Sequence, residues 1–358
     1  MSKERYKWVA TSAKSQEVPY DAVVSVYSVA KGTKDWKAFL SGTAAEQNEV
    51  LKLIKRKELK PEAGAIHSFD KSPSQRFSRV LIDSTLSTFK LLSMSKDIVL
   101  NLRELKVERI QLQLNRLSSA ESAAWVDAFI SALKAAEFVV PYYGDKPKPA
   151  AFAPSLDIRA DDSSVGKNLS GHLSRSIAEA DGTNLVRELA MLAGNDLTPR
   201  HYVERLKKDA AVEGLGFEFL GVKKLQQMKA GAFLSVVQAS DEHDAGIVKL
   251  SYQPAGGKQK KLLCLVGKGI TFDTGGTNLK GAAHMYGMHR DMAGSAVAYA
   301  LVRLAAREKW PFAVTAYLAI ADNLTGANAY RPNDVVTSLS GRTIEIVHTD
   351  AEGRMVLA

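Results

Sequence analysis

Two stretches of this sequence concentrate side chains able to do chemistry. The first, KLLCLVGKGITFDTGGTNLKGAAHMYGMHRDMAGSA, sets Lys268, Asp273, Lys280, Arg290 and Asp291 among glycines directly after an apolar run. The second, HTDAEGRMVLA, holds Asp350, Glu352 and Arg354. Carboxylates at the ends of several strands, without histidine or thiolate companions at ligand spacing, suit hard or borderline cations held by oxygen. Two such cations about 3.5–4 Å apart can share a water and stabilise both its attack and the developing oxyanion. Spacing alone leaves a second reading open, because aspartate is also a common turn and N-cap residue.

Other chemistries fit less well. Glycine-rich loops after strands also cradle phosphates, but neither GxGxxG nor GxxxxGK followed by Ser or Thr is present. His284 and His289 are five residues apart and do not share a helical face, so they are expected at the surface or supporting the site rather than ligating. Cys264, the single cysteine, lies in the apolar run KLLCLVG and is expected to be a buried, inert thiol.

The elements that must position these groups follow a βα rhythm. Residues 261–266 read as a central strand, which puts Gly267 and the loop after it at the C-terminal end, where open α/β sheets place ligands. A helix is expected from Met292, a strand over 312–320 ending at Ala321 and Asp322, and a strand over 342–348 that delivers the terminal cluster. Upstream, Pro199 suits the first turn of a helix. Residues 216–222 alternate, 223–231 suit a short helix, and 233–240 and 245–253 read as two strands.

In the front half, strands over 22–29, 77–82 and 108–114 alternate with helices over 43–59, 86–105 and 119–138, which implies a mostly parallel sheet covered by helices. No cluster of potential catalytic groups occurs there, so a structural, regulatory or oligomeric role is expected. Residues 139–164 carry Pro141, Pro147, Pro149 and Pro154 and read as a linker or edge crossing. A long helix over 170–193 follows, ended by Gly194.

At 358 residues the chain fits about two domains. Apolar residues at 46% and charged residues at 24% exclude a disordered or fibrous class. No run approaches 18 apolar residues, and MSKERYKWVA has no apolar segment behind its charges, so a cytosolic chain without a membrane span is expected. The net charge of +9 is concentrated in residues 1–150, with 24 Lys/Arg against 17 Asp/Glu. Such a basic region attracts nucleic acid, but its only dense run, IKRK at 54–57, reads first as a solvated helix face.

VGKGITFDTGGTNLKG, MHRDMAGSA, AYRPNDVVTSLSGRTIEI and TDAEGR strongly resemble the leucyl (cytosol) aminopeptidase family of two-metal peptidases, with similarity continuous from Asn184 to Ala358. The resemblance implies an α/β protein with an N-terminal macro-like α/β domain over 1–155, a linker and connecting helix over 156–195, and an α/β/α aminopeptidase domain over 196–358. That domain is expected to be incomplete at its C-terminus, since the family continues for about another hundred residues; the closing VLA would then be a strand in mid-sheet.

By resemblance, Lys268, Asp273, Asp291, Asp350 and Glu352 would ligate two divalent ions, zinc with manganese or magnesium tolerated. Lys280 and Arg354 would be the catalytic pair, with a bicarbonate bound at Arg354. The substrate would be a peptide with a free N-terminus and the assembly a homo-hexamer. Alternatives carried with this reading are a DNA-binding or regulatory member and a catalytically silent scaffold. His348 stands where the family has Asn, and Thr277, Asn278 and Gly281 depart from the usual residues around Lys280. Asp322 and Arg331 match loop positions expected to be structural.

Overall fold

The computed structural model describes residues 5–9, 20–29, 44–56, 62–72, 75–145, 151–161, 163–240, 244–256 and 261–358. The chain divides into two compact units, Met1–Val139 with Lys146–Ala180, and Val140–Asp145 with Asp181–Ala358.

The first unit contains β1 (Tyr6–Trp8), β2 (Ala22–Ser28), α1 (Ala44–Lys55), β3 (Ile66–Ser72), β4 (Gln75–Ile82), α2 (Thr88–Glu104), β5 (Arg109–Asn115), α3 (Ser119–Glu137) and β6 (Ser155–Ala160). Its sheet runs β1-β6-β5-β2-β4-β3 and is parallel except for β3, which pairs antiparallel with β4. Alternation explains its faces. Ile110, Leu112 and Leu114 point into the core under α2 and α3, while Gln111 and Gln113 face the other way and bond to each other at 2.6 Å. The start of α3 is fixed by a capping box: the Glu121 N–H donates to Ser118 Oγ and the Ser118 N–H donates back to the Glu121 carboxylate. Fully buried Trp125 and Phe129 then anchor α3.

Several expectations for this half need correction. Strand β6 lies inside the proline-rich stretch read as a linker, its Leu156, Ile158 and Ala160 alternating into the core. Strands β1 and β3 were not anticipated, being short or polar. Part of the basic run at 54–57 lies outside the described residues.

α4 (Ser163–Met191) starts earlier than its apolar pattern indicates, and the division between the units falls within it. The second unit continues with α5 (Pro199–Glu213), β7 (Gly216–Gly221), α6 (Val222–Gln227), α7 (Gly231–Val237), β8 (Gly246–Tyr252), β9 (Leu262–Asp273), α8 (Ala282–Met285), α9 (Ala293–Arg307), β10 (Ala313–Asn323), β11 (Val335–Thr337), β12 (Thr343–Glu345) and α10 (Glu352–Leu357). Its main sheet runs β7-β8-β10-β9, with β9 parallel to β10 and the other pairs antiparallel; β11 and β12 form a separate two-stranded ribbon. The small side chains of Ala296, Ala298 and Ala300 are buried in the core beneath α9.

Here too the structure revises the reading. β9 is an edge strand among the described residues, not a central one, and Leu262, Leu263, Val266 and Cys264 are exposed along it. The thiol is therefore not buried. Residues 231–237 form a helix instead of a strand, because Ala232, Phe233, Val236 and Val237 recur at helical spacing and bury one stripe. The closing residues likewise continue helix α10, burying Met355 and Val356. The strand expected over 342–348 is paired only at Thr343–Glu345.

Candidate metal centre

Parallel pairing of β9 with β10 fixes the first part of the site. Lys268 lies opposite Ala319, and the register shifts between Ala321 and Asn323, so that Asn323 falls opposite Asp273. Such an irregularity re-aims a side chain at the end of a ladder. Beyond β9 the chain turns sharply through Gly275 and Gly276, both at positive φ. A Cβ on Gly276 would come within 2.9 Å of Thr349 Oγ1, so this loop approaches the second segment only without a side chain there.

Hydrogen bonds tie the two segments together. The Asn278 N–H donates to Thr349 Oγ1 at 2.8 Å, the Thr349 N–H returns to Asn278 Oδ1 at 2.8 Å, and the Thr349 hydroxyl donates to the Gly275 carbonyl at 2.6 Å. The Tyr330 hydroxyl donates to the Thr349 carbonyl at 2.6 Å. His348 caps the short turn Thr349–Ala351, its Nδ1 accepting from the Asp350 N–H at 3.2 Å. The imidazole nitrogen thus supplies the cap acceptor that an asparagine oxygen would offer.

Six of the seven site residues expected from the sequence converge. Lys268 Nζ lies 2.7 Å from Asp291 Oδ2 and 2.5 Å from Glu352 Oε1. Lys280 Nζ lies 3.0 Å from Asp273 Oδ2 and in closer contact with Asp350. Oxygens of Asp273, Asp350 and Glu352 all fall within 4.8 Å of one another. Asp273 and Glu352 are only 2% and 1% exposed. Arg354 stands apart: it is exposed on the first turn of α10 and has no ion-pair partner among the described residues.

The electrostatics follow from crowding. Burial pushes the Glu352 and Asp291 carboxyls above their ordinary range, with Lys268 only partly offsetting it, and Asp273 adds like-charge repulsion to both. Burial draws the Lys268 and Lys280 ammoniums downward, but their carboxylate partners outweigh it and hold both above the ordinary lysine value. Four carboxylates against two ammoniums leave an excess of negative charge in a largely buried space. That donor set is all oxygen and amine, and it fits divalent cations.

Gly353 matters for a steric reason, since a Cβ there would sit 2.9 Å from Lys268 Cδ and 3.0 Å from its Nζ. Asn323, fully buried, escaped the sequence reading; its Nδ2 donates to Asp273 Oδ1 at 2.8 Å. Only its place at a strand end beside Asp322 could have signalled it. Asp322 itself accepts from the Thr271 hydroxyl, and Arg331 pairs with Asp334 at 3.4 Å, both outside the carboxylate cluster. His284 is exposed, and His289, partly buried, is pulled down by burial and by Arg290.

Residues 184–358 match the model of the cytosol aminopeptidase family, catalytic domain. The chain is 39% identical over 254 residues to a probable cytosol aminopeptidase of Burkholderia orbicola, covering 70% of this chain and 50% of that protein. A probable cytosol aminopeptidase of Nitrosomonas europaea is 36% identical over 285 residues, covering 78% and 54%. The chain spans about half the length of these curated relatives.

Among solved structures, a mutant tomato leucine aminopeptidase superposes with a TM-score of 0.80 at 22% identity, covering 98% of this chain and 69% of that one. The bottromycin maturation enzyme BotP in complex with Mn gives 0.73 at 23% identity, covering 95% and 68%. These two likenesses bear on the fold. Residues 184–358 are thus similar to the catalytic domain of the cytosol aminopeptidase family.

Proposed function

We propose that this chain is a metal-dependent aminopeptidase that releases N-terminal residues, leucine among them, from peptides. The observation that carries the reading is the convergence of Asp273, Asp291, Asp350 and Glu352 on Lys268 of β9 and Lys280 of the loop after it. Asp273, Asp291, Asp350 and Glu352, with the Lys268 amine, would hold two divalent ions. Such a pair supplies an acidified water near neutral pH and polarises the scissile carbonyl.

The chain's own groups then divide the work. Four carboxylates balance the charge of two dications, and the Lys268 amine ligates once it gives up its proton. Lys280, kept as an ammonium by Asp273 and Asp350, is positioned to stabilise the oxyanion that forms as the peptide carbonyl is attacked. Arg354, exposed and unpaired among the described residues, offers a planar fork that would hold a bicarbonate, a group able to supply proton-transfer chemistry there.

Similarity to this family also supports zinc or manganese at the site with magnesium tolerated, a cytosolic location and a homo-hexamer. Among the described residues no helix is long and apolar enough to cross a membrane. In the same reading the second unit, from Asp181 onward, carries the chemistry, and the first unit, to whose sheet β6 belongs, forms a macro-type domain that serves architecture or assembly. Hydrolysis of leucine p-nitroanilide after Mn²⁺ loading, abolished by chelator and by Asp350→Ala, is the expected result. A chain that binds Mn²⁺ but leaves the substrate intact, or an Asp350→Ala variant as active as the parent, would overturn the reading.

A further inference from the structure

We infer that Asn323 is a positioning residue of this centre, its side-chain amide dictating which oxygen of Asp273 and of Glu352 faces the cations; this rests on the metallopeptidase reading above. The geometry is selective. Asn323 Nδ2 donates to Asp273 Oδ1 at 2.8 Å and to Glu352 Oε2 at 3.4 Å, and it also reaches the Thr349 carbonyl at 3.1 Å. The other oxygen of each carboxylate is the one that meets a lysine: Asp273 Oδ2 lies 3.0 Å from Lys280 Nζ and Glu352 Oε1 lies 2.5 Å from Lys268 Nζ. One neutral donor thus turns two carboxylates in the same sense, from the two segments of the site at once.

Its orientation is not exchangeable. Rotating the amide would press Oδ1 against three acceptor oxygens, so the hydrogen-bond pattern itself assigns the NH₂ end to the cluster. The consequence is a buried Oδ1 without a hydrogen-bond partner, backed by the loop at Gly276, where a Cβ would stand 3.1 Å away. A buried polar atom left unpaired is destabilising. Packing alone gives no reason to keep an amide here, whereas its NH₂ serves both carboxylates. A neutral donor is also the choice that adds no charge to compete with the cations. Groups that orient metal-ligating carboxylates typically change metal affinity about 10- to 100-fold when removed.

The test compares Mn²⁺ binding by isothermal titration calorimetry to the purified 358-residue chain and its Asn323→Leu variant, after circular dichroism shows the metal-free forms fold alike. The expected result is a Kd for Mn²⁺ raised about 10- to 100-fold in the variant. An unchanged Kd overturns the inference, because a purely structural asparagine would alter melting and leave affinity alone. Should Asn323→Leu fail to fold, Asn323→Ser is read by the same criterion, since its shorter hydroxyl cannot span both carboxylates. Parent protein that binds no Mn²⁺ overturns the metallopeptidase reading itself, and the inference with it; parent binding with an unaltered variant overturns only the role of Asn323.

Discussion

Two charged clusters in the second unit show how differently ion pairs can be used. At the end of α5, Glu213 accepts from Arg303 at 2.5 and 3.1 Å and from Arg307 at 2.6 and 3.1 Å. One carboxylate meets two guanidinium forks, and the Arg307 bonds, followed by those of Arg303, hold the Glu213 carboxyl below its ordinary value despite partial burial. In the cluster at β9 and α10 the balance is reversed, with four carboxylates against two ammoniums, and Asp291 and Glu352 are held above their ordinary values by burial. The first cluster is saturated and staples α9 to α5. The second carries more carboxylates than ammoniums, a balance that divalent cations would complete in the proposed function and that a saturated structural bridge does not show.

The largest effect is expected from Lys280→Met, which should lower kcat by about 10²- to 10³-fold if Lys280 serves the oxyanion. Steady-state kinetics on leucine p-nitroanilide would read it, and an unchanged kcat would remove Lys280 from the chemistry. Gly353→Ala should come next. Its Cβ displaces a Lys268 side chain already held by two carboxylates, so Mn²⁺ affinity should fall about tenfold while the metal-free chain stays folded.

At the saturated cluster, Glu213→Gln should cost about 1 kcal/mol near neutral pH, a modest figure because Arg307 is well exposed. The sign of its pH dependence is fixed. A carboxyl lowered in the folded state contributes above its unfolded pKa and loses that contribution as pH falls through the folded value. Melting curves of parent and Glu213→Gln should therefore converge in acid below about pH 4. The smallest effect is expected at His348, where Asn keeps the cap acceptor and should change stability by less than about 0.5 kcal/mol, while Ala should cost about 1 kcal/mol.

Much of this was legible in the residues, and the exceptions have physical causes. Strands β2, β4 and β5 announce themselves by β-branched or alternating runs, and α3 by its capping box and aromatic stripe. Strand β6 was masked by prolines that flank a clean alternation. Helix α7 is a short apolar run of the kind whose period cannot be told from a strand's. An apolar sequence such as KLLCLVG reads as central, yet β9 is an edge among the described residues, because periodicity reports side-chain character and not which neighbours arrive. The carboxylates and lysines of the site were visible as charges among glycines. Asn323 was not, since its importance comes from a register shift between β9 and β10 that no local pattern encodes.

Whether the carboxylate cluster holds metal is read from the metal content of the purified chain after Mn²⁺ loading and desalting, measured by elemental analysis alongside Asp350→Ala. About two ions per parent chain are expected, with a clear deficit in the variant. Parent protein that retains no metal, or a variant that retains as much as the parent, would contradict the two-metal reading.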